Sequence, residues 1–320
     1  MRAFVTESFK SPARLQEVEK PIPDAREARI NVRSCALNFA DLLMQKGTYQ
    51  DTPDLPFIGG LEIAGIVEEL GPGVDKALLG KRVAAFGGKG GLAEFAVCDV
   101  SLLTPIPDSM TFDQAAAFQV AYGTGHVALD YRARMQPGET LLVLGAAGGV
   151  GLTAIEIGKL MGARVIACAR GAAKLEIARK AGADHLIDSE TQDIRDEVRA
   201  LGGADVVYDP IGGDQWKAAF RATNPDGRLI PIGFAGGEVP QIPANHLLVK
   251  NLSVLGVYWG DYLKFKPEVV TDSMRVLFDW FEQGKLEPHI SHRFPLEQTQ
   301  EALDTLKARK SSGKVVVTMG

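Results

Sequence analysis

Cysteine is scarce in this sequence, with only Cys35, Cys98 and Cys168 among 320 residues. An odd count at wide spacings builds no disulfide framework, and a structural zinc site would need four close ligands. Buried free thiols in a reducing compartment are the expectation. Long apolar runs are missing too. The most membrane-like stretch, Val150–Ala169, is interrupted by Glu156, Lys159 and Arg164, so it does not span a bilayer. The opening residues MRAFVTESFK lack the apolar centre of a signal peptide. Neither charge sign dominates: 35 Lys and Arg face 40 Asp and Glu, a net charge of −5. That balance gives no electrostatic reason to expect nucleic acid or an anionic membrane as the main partner. Internal repeats and low-complexity tracts are likewise absent. These absences lead us to expect a soluble, cytoplasmic protein.

What remains is ordinary globular composition, 46% hydrophobic and 23% charged, with length for about two domains. Up to about residue 120, short strand candidates are punctuated by Gly and Pro. Ala28, Ile30 and Val32 alternate with Arg29, Asn31 and Arg33, the period of a half-buried strand. Ile63–Leu70 runs into the turn Gly71-Pro72-Gly73, and Arg82–Phe86 and Ala93–Val97 follow. This rhythm predicts a β-rich, barrel-like domain.

From Thr140 the rhythm changes to apolar strands alternating with helical periods. Strands are predicted at Leu141–Gly145, Val165–Ala169, His185–Asp188, Asp205–Asp209, Arg228–Ile232 and Leu252–Tyr258. Helices are predicted at Gly149–Met161, Lys174–Ala181, Asp193–Leu201 and Gln215–Ala222. Six strands with crossovers describe an α/β fold, a doubly wound parallel sheet of the Rossmann type. After residue 262 the sheet rhythm stops. Helices near Pro267–Gln283 and Leu296–Lys307 precede a last strand, Val315–Thr318. The expected division is 1–120, 121–262 for the Rossmann domain, and 263–320 returning to the first domain.

The strand Leu141–Leu144 leads straight into Gly145-Ala146-Ala147-Gly148-Gly149-Val150-Gly151, and a helix follows. A diphosphate needs backbone N–H groups to approach closely, and it gains from the positive end of a helix dipole. A glycine-rich turn between strand and helix supplies both. Against the pattern Gly-x-Gly-x-x-Gly, Ala146 stands first, with Gly148 and Gly151 in the other places. One substitution weakens the motif, but the strand before it, the helix after it and the second strand at Val165 restore it. A nicotinamide dinucleotide is the ligand this arrangement predicts.

The end of the second strand chooses between NADH and NADPH. An NAD-binding unit usually carries Asp or Glu there, on the ribose 2′-OH. Here the strand ends Ala167-Cys168-Ala169-Arg170, with Lys174 one helical turn on. A guanidinium suits a 2′-phosphate, and cations at a helix start gain nothing from its dipole. NADPH is therefore the expected cofactor.

The chain resembles the medium-chain dehydrogenase/reductase superfamily, and within it the zinc-free quinone oxidoreductase, or ζ-crystallin-like, branch. The resemblance rests on Leu37-Asn38-Phe39-Ala40-Asp41, Gly47-Thr48-Tyr49, Gly60-Leu61-Glu62-Ile63-Ala64-Gly65 and Gly80-Lys81-Arg82-Val83, then Gly145–Gly151, Gly227-Arg228-Leu229 and Gly313-Lys314-Val315-Val316. It implies a Rossmann domain inserted in a GroES-like β-barrel catalytic domain, with the active site in the cleft between them. Zinc-dependent relatives carry a Cys where this chain has Asn38 and a His where it has Leu61. No Cys lies in Gly87–Gly91, so the resemblance implies no metal. His289 and His292 have no further ligand near them in sequence and read as polar surface or barrel residues. Where many relatives have an Asn-Tyr pair after the third strand, this chain reads Asp188-Ser189-Glu190.

By the resemblance, Asn38, Tyr49 and Thr124 line the catalytic site, and Tyr49 would donate to the product oxygen. Gly145, Ala146, Gly148, Gly149, Val150 and Gly151 hold the cofactor with Arg170 and Lys174. The loop Gly233, Phe234, Ala235 and the late Lys314 join them, and Tyr258 and Trp259 would wall a flat acceptor. Asp41 is expected to cap a helix, and Glu62 to hold a buried ion pair. Without a zinc Lewis acid, an already activated acceptor is favoured. The expected activity is NADPH-dependent hydride transfer to a quinone. Reduction of an alkenal, enone or enoyl thioester is the alternative, and a crystallin-like or RNA-associated NADPH-binding protein with little turnover is the alternative of another class. A homodimer is implied, pairing through Leu252–Val257.

Overall fold

The computed structural model describes residues 1–320. Along the chain the strands are β1 (Arg2–Thr6), β2 (Arg14–Glu17), β3 (Glu27–Leu37), β4 (Phe57–Ile58), β5 (Glu62–Leu70), β6 (Arg82–Phe86), β7 (Phe95–Asp99) and β8 (Leu103–Pro105). Then come β9 (Thr140–Val143), β10 (Arg164–Ala169), β11 (His185–Asp188), β12 (Ala204–Asp209), β13 (Thr223–Pro231) and β14 (Ser253–Val254), with β15 (Ile290–Pro295) and β16 (Lys314–Thr318) last. They fold into two compact units, one of Met1–Val120 with Pro288–Gly320, the other of Ala121–Glu287.

The first unit is built on a sheet ordered β15-β16-β3-β5-β6-β8, with β7 also paired to β3. Long β3 alternates as its sequence dictates: Ala28, Ile30 and Val32 are buried, while Arg29, Asn31 and Arg33 are half-buried. Its buried side chains meet Ile63 and Val67 of β5, Val83 of β6, and Val315 and Val317 of β16. β16 pairs antiparallel with β3, placing Val316 opposite Ala36, so the end of the chain closes on a strand from its beginning. A second small sheet, β2-β1-β4, completes the unit. This β-rich part is the barrel-like domain that the sequence rhythm led us to expect.

In the second unit all six strands are parallel, in the order β11-β10-β9-β12-β13-β14. Both faces are covered, which is why the strands read as continuous apolar runs rather than alternating ones. Leu142, Ile166, Val207 and Leu229 pack on one face with Trp216 and Phe220. The order reverses between β9 and β12, so a crevice opens at the carboxyl end of β9.

The helix Pro267–Glu282 belongs to this second unit, which runs to Glu287 and not to 262. Its Ser273 Oγ lies 3.0 Å from His126 Nδ1, and Trp280 stands edge-on to the same imidazole. That packing accounts for the shift: a helix carries no sheet rhythm, so its side of the boundary is set by tertiary contacts. Only two residues of the expected strand Leu252–Tyr258 pair, and Trp259 already opens a helix, Trp259–Phe265. The three cysteines are buried and free. No helix is long and apolar enough to cross a membrane.

Candidate functional site

The glycine-rich turn Gly145–Gly151 forms because β9 must turn sharply to send its helix back over the sheet. Leu144 N donates to Tyr208 O (3.0 Å) and Ala146 N to Cys168 O (3.0 Å), so neighbouring strands β12 and β10 anchor the loop. Gly148 N donates to Gly145 O (2.9 Å), closing the turn, and the helix Gly149–Leu160 starts at once. Gly145 has φ +57°, and a Cβ there would meet Ile211 Cδ1 at 2.7 Å. A Cβ on Gly151 would lie 2.4 Å from Gly145 O. These two glycines let the helix start sit against the loop backbone. The amides of Gly149, Val150 and Gly151 fall in the first helical turn, where no intrahelical acceptor exists. Gly148 is exposed and Gly149 and Val150 are half-buried, so this amide-rich edge is open.

The loops after β12 and β13 lie at the same carboxyl edge. Ile232 N donates to Asp209 O (2.7 Å) and Ala235 N to Pro210 O (3.0 Å), zipping the loop of Gly233, Phe234 and Ala235 to its neighbour. Phe234 remains 39% exposed there. Arg170, at the end of β10, is exposed, and Lys174 is half-buried one turn into the helix Gly171–Lys180. Sequence reasoning missed the partner of Arg170: Glu190 Oε1 stands 3.7 Å from its Nε.

Thr124 is buried in the helix Gln119–His126. Trp259 is buried as well. Its indole covers Gly123, where a Cβ would lie 2.6 Å from Nε1, so this side chain packs into the second unit. Nearby, Tyr122 OH donates to Glu156 Oε2 (2.6 Å), and Glu287 N donates to Glu156 Oε1 (3.1 Å). Burial pushes the Glu156 carboxyl up to about 7 despite these two donors.

In the first unit, Asn38, Glu62 and Lys314 come together although 276 positions separate the first from the last. Lys314 Nζ donates to Glu62 Oε1 (2.7 Å) and to Asn38 Oδ1 (2.7 Å), and Asn38 Nδ2 donates to Glu62 Oε1 (2.9 Å). Glu62 Oε2 accepts from Val120 N (3.0 Å). The expected buried ion pair of Glu62 is thus present, and its side chains are 7% and 1% exposed for Lys314 and Glu62. Both ends of the Asn38 amide are engaged, which makes it a positioning group for the pair.

Asp41 sits beside them in the helix Phe39–Met44. It accepts from Asn38 N (2.7 Å) and from Gly60 N (3.1 Å), holding the helix start as its sequence position suggested. Burial pushes its carboxyl up to about 7, with the Asn38 and Gly60 amides and Lys314 opposing. Tyr49 is half-buried against Met44, Phe57 and Leu61. Thus Asn38 and Lys314 converge in the first unit, while the glycine-rich turn, Arg170 and the Gly233–Ala235 loop share one sheet edge in the second. No three His, Cys, Asp or Glu side chains group so as to hold a metal ion. His289 and His292 instead face the hydroxyls of Ser312 (3.0 Å) and Ser291 (2.8 Å).

Comparison with known proteins fits this geometry. Residues 24–108 match the family model for the alcohol dehydrogenase GroES-like domain, and residues 149–277 that for zinc-binding dehydrogenases. The chain is 42% identical to a quinone oxidoreductase-like protein 2 homolog of Nematostella vectensis, over 91% of this chain and 81% of the relative. It is 38% identical to quinone oxidoreductase-like protein 2 of Bos taurus, over 99% and 92%. Its fold superposes on the quinone oxidoreductase of Thermus thermophilus, solved also in complex with NADPH, with a TM-score of 0.89, 31% identity and full coverage of both chains. The chain therefore belongs to the medium-chain dehydrogenase/reductase superfamily, as an oxidoreductase of its quinone oxidoreductase-like branch.

Proposed function

We propose that this chain is an NADPH-dependent reductase that delivers hydride to a quinone without a bound zinc. The observation that carries the reading is the open amide edge of Gly148–Val150 on a doubly wound sheet whose next strand leads into Arg170. The residues fit a nicotinamide dinucleotide: Gly149, Val150 and Gly151 offer amides to the diphosphate, and Arg170 and Lys174 offer charge to a 2′-phosphate. When bound, that group supplies the hydride.

The donor set of the first unit argues against zinc. The zinc-type ligands are replaced by Asn38 and Leu61, and the nearby carboxylate of Glu62 already holds the Lys314 ammonium. A catalytic zinc needs three protein ligands, and these side chains do not supply them. The relatives' names point the same way, to a quinone as acceptor. A quinone carbonyl draws electrons from its own ring, so a hydrogen-bond donor suffices at the developing oxyanion. We assign that donor role to Tyr49, with Asn38 and Glu62 fixing the Lys314 ammonium and Thr124 lining the nicotinamide end. Two copies would pair through β14, the edge strand of its sheet. The exposed Leu248 and Val249 on the helix before it support that pairing.

Absorbance at 340 nm tests the reading, with NADPH and a panel of quinones, enones and enoyl thioesters. Oxidation of NADPH by quinones, unchanged by a chelator, is expected. Tight NADPH binding with no turnover by any acceptor would overturn the enzyme reading, and loss of activity to the chelator would overturn zinc independence.

A further inference from the structure

β10 and β11 run parallel with Ala169 opposite Asp188, and both then leave the sheet through short loops. Asp188 ties those loops together. Its Oδ1 accepts from Gly171 N (3.1 Å) and from Glu190 N (3.0 Å), and Ser189 N donates to Ala169 O (3.0 Å). The backbone of Glu190 is therefore fixed beside that of Arg170, and the carboxylate of Glu190 faces the guanidinium.

At 3.7 Å the contact is longer than a charge-assisted hydrogen bond, and the side chains of Arg170 and Glu190 are 51% and 56% exposed. Such a pair does little for the fold. Its effect is on the local field. Two cations, Arg170 and Lys174, share the end of β10 with two carboxylates, Asp188 and Glu190. A 2′-phosphate brings about two further negative charges into that field. To use Arg170 it must draw the guanidinium away from Glu190, with the carboxylate left close by. A 2′-hydroxyl meets no such competition.

We propose that Glu190 is a cofactor-specificity residue: it competes with the 2′-phosphate for Arg170 and reduces the preference for NADPH over NADH below what Arg170 and Lys174 alone would give. Asp188 is the positioning residue that holds it there. This deepens the dinucleotide reading above and rests on it.

The test is equilibrium binding of NADP⁺ and NAD⁺ to the purified chain by calorimetry, at low and high salt. Glu190→Gln should tighten NADP⁺ about fivefold at low salt, less at high salt, and leave NAD⁺ within about twofold. In an Arg170→Gln background, adding Glu190→Gln should tighten NADP⁺ clearly less, because only the direct repulsion between carboxylate and phosphate remains to be relieved. Equal tightening of both dinucleotides, an unchanged ratio, or a gain undiminished by Arg170→Gln would overturn the competition of Glu190 for Arg170 while the dinucleotide reading stood. Failure of the unaltered chain to bind either dinucleotide would overturn both.

Discussion

Two ion pairs with the same charges do opposite work in this molecule. Glu62–Lys314 is almost fully buried, at 2.7 Å, with Asn38 and Val120 N using the remaining lone pairs of Glu62. Arg170–Glu190 is half-exposed at 3.7 Å. In the first, removing either charge strands the other in a low dielectric. In the second, solvent screens whatever is left. Burial, more than charge, decides that one pair specifies a fold and the other can only bias a ligand.

The largest expected effect breaks the buried pair. Lys314→Met should destabilise the first unit by about 3–5 kcal/mol, because Glu62 stays buried without its counterion. Adding Glu62→Gln should recover most of that loss, since a neutral amide can still accept from Val120 N. Denaturant unfolding of the two variants measures both; equal stability of Lys314→Met and the unaltered chain would show that the pair is not held as described.

Next comes a half-buried carboxylate with no counterion. Glu156 has only Tyr122 OH and Glu287 N as donors, and its carboxyl lies at about 7 against an ordinary value of 4.5. A raised acid binds its proton more tightly in the folded state. Its contribution is therefore complete below about pH 4.5 and is lost as pH rises through about 7. Glu156→Gln should match the parent near pH 4.5 and exceed it above pH 7 by on the order of 3 kcal/mol. Melting curves across that range decide it, and parallel curves would count against the shift.

The contrast between the pairs also explains what was legible in sequence. Most of the Rossmann strands were readable because they are local apolar runs between turn residues, and the glycine-rich turn because all its parts lie within a dozen positions. Asn38 and Glu62 stood in recognisable short segments. That Lys314 would close on them was not readable, since β16 reaches β3 only through an antiparallel pairing across the whole chain. Glu190 was missed for a similar reason. It is twenty positions from Arg170, and only the parallel register of β10 with β11 makes them neighbours. The burial of Trp259 against Gly123 was not readable either, since that contact spans more than a hundred positions.

A smaller effect tests the phosphate loop. In Gly151→Ala the new methyl would sit 2.4 Å from Gly145 O, so the helix start must shift away from the loop. Binding of either dinucleotide should weaken at least about tenfold, a loss of roughly 1.4 kcal/mol, while far-ultraviolet dichroism is retained. Unchanged affinity would remove the loop from the binding site.

The smallest effect belongs to the exposed pair, and it sharpens the comparison because it should vanish in one condition and return in another. Without ligand, Glu190→Gln should melt with the parent, since a screened, half-exposed pair adds almost nothing to the folded state. With NADP⁺ in large excess, the complex is stabilised in proportion to the logarithm of affinity. A fivefold tighter complex then adds about 1 kcal/mol, or about 2–4 °C in Tm. With NAD⁺ the two proteins should again coincide. A difference already present without ligand would mean that Glu190 acts on the fold, as Glu62 does, and that exposure is not what separates the two pairs.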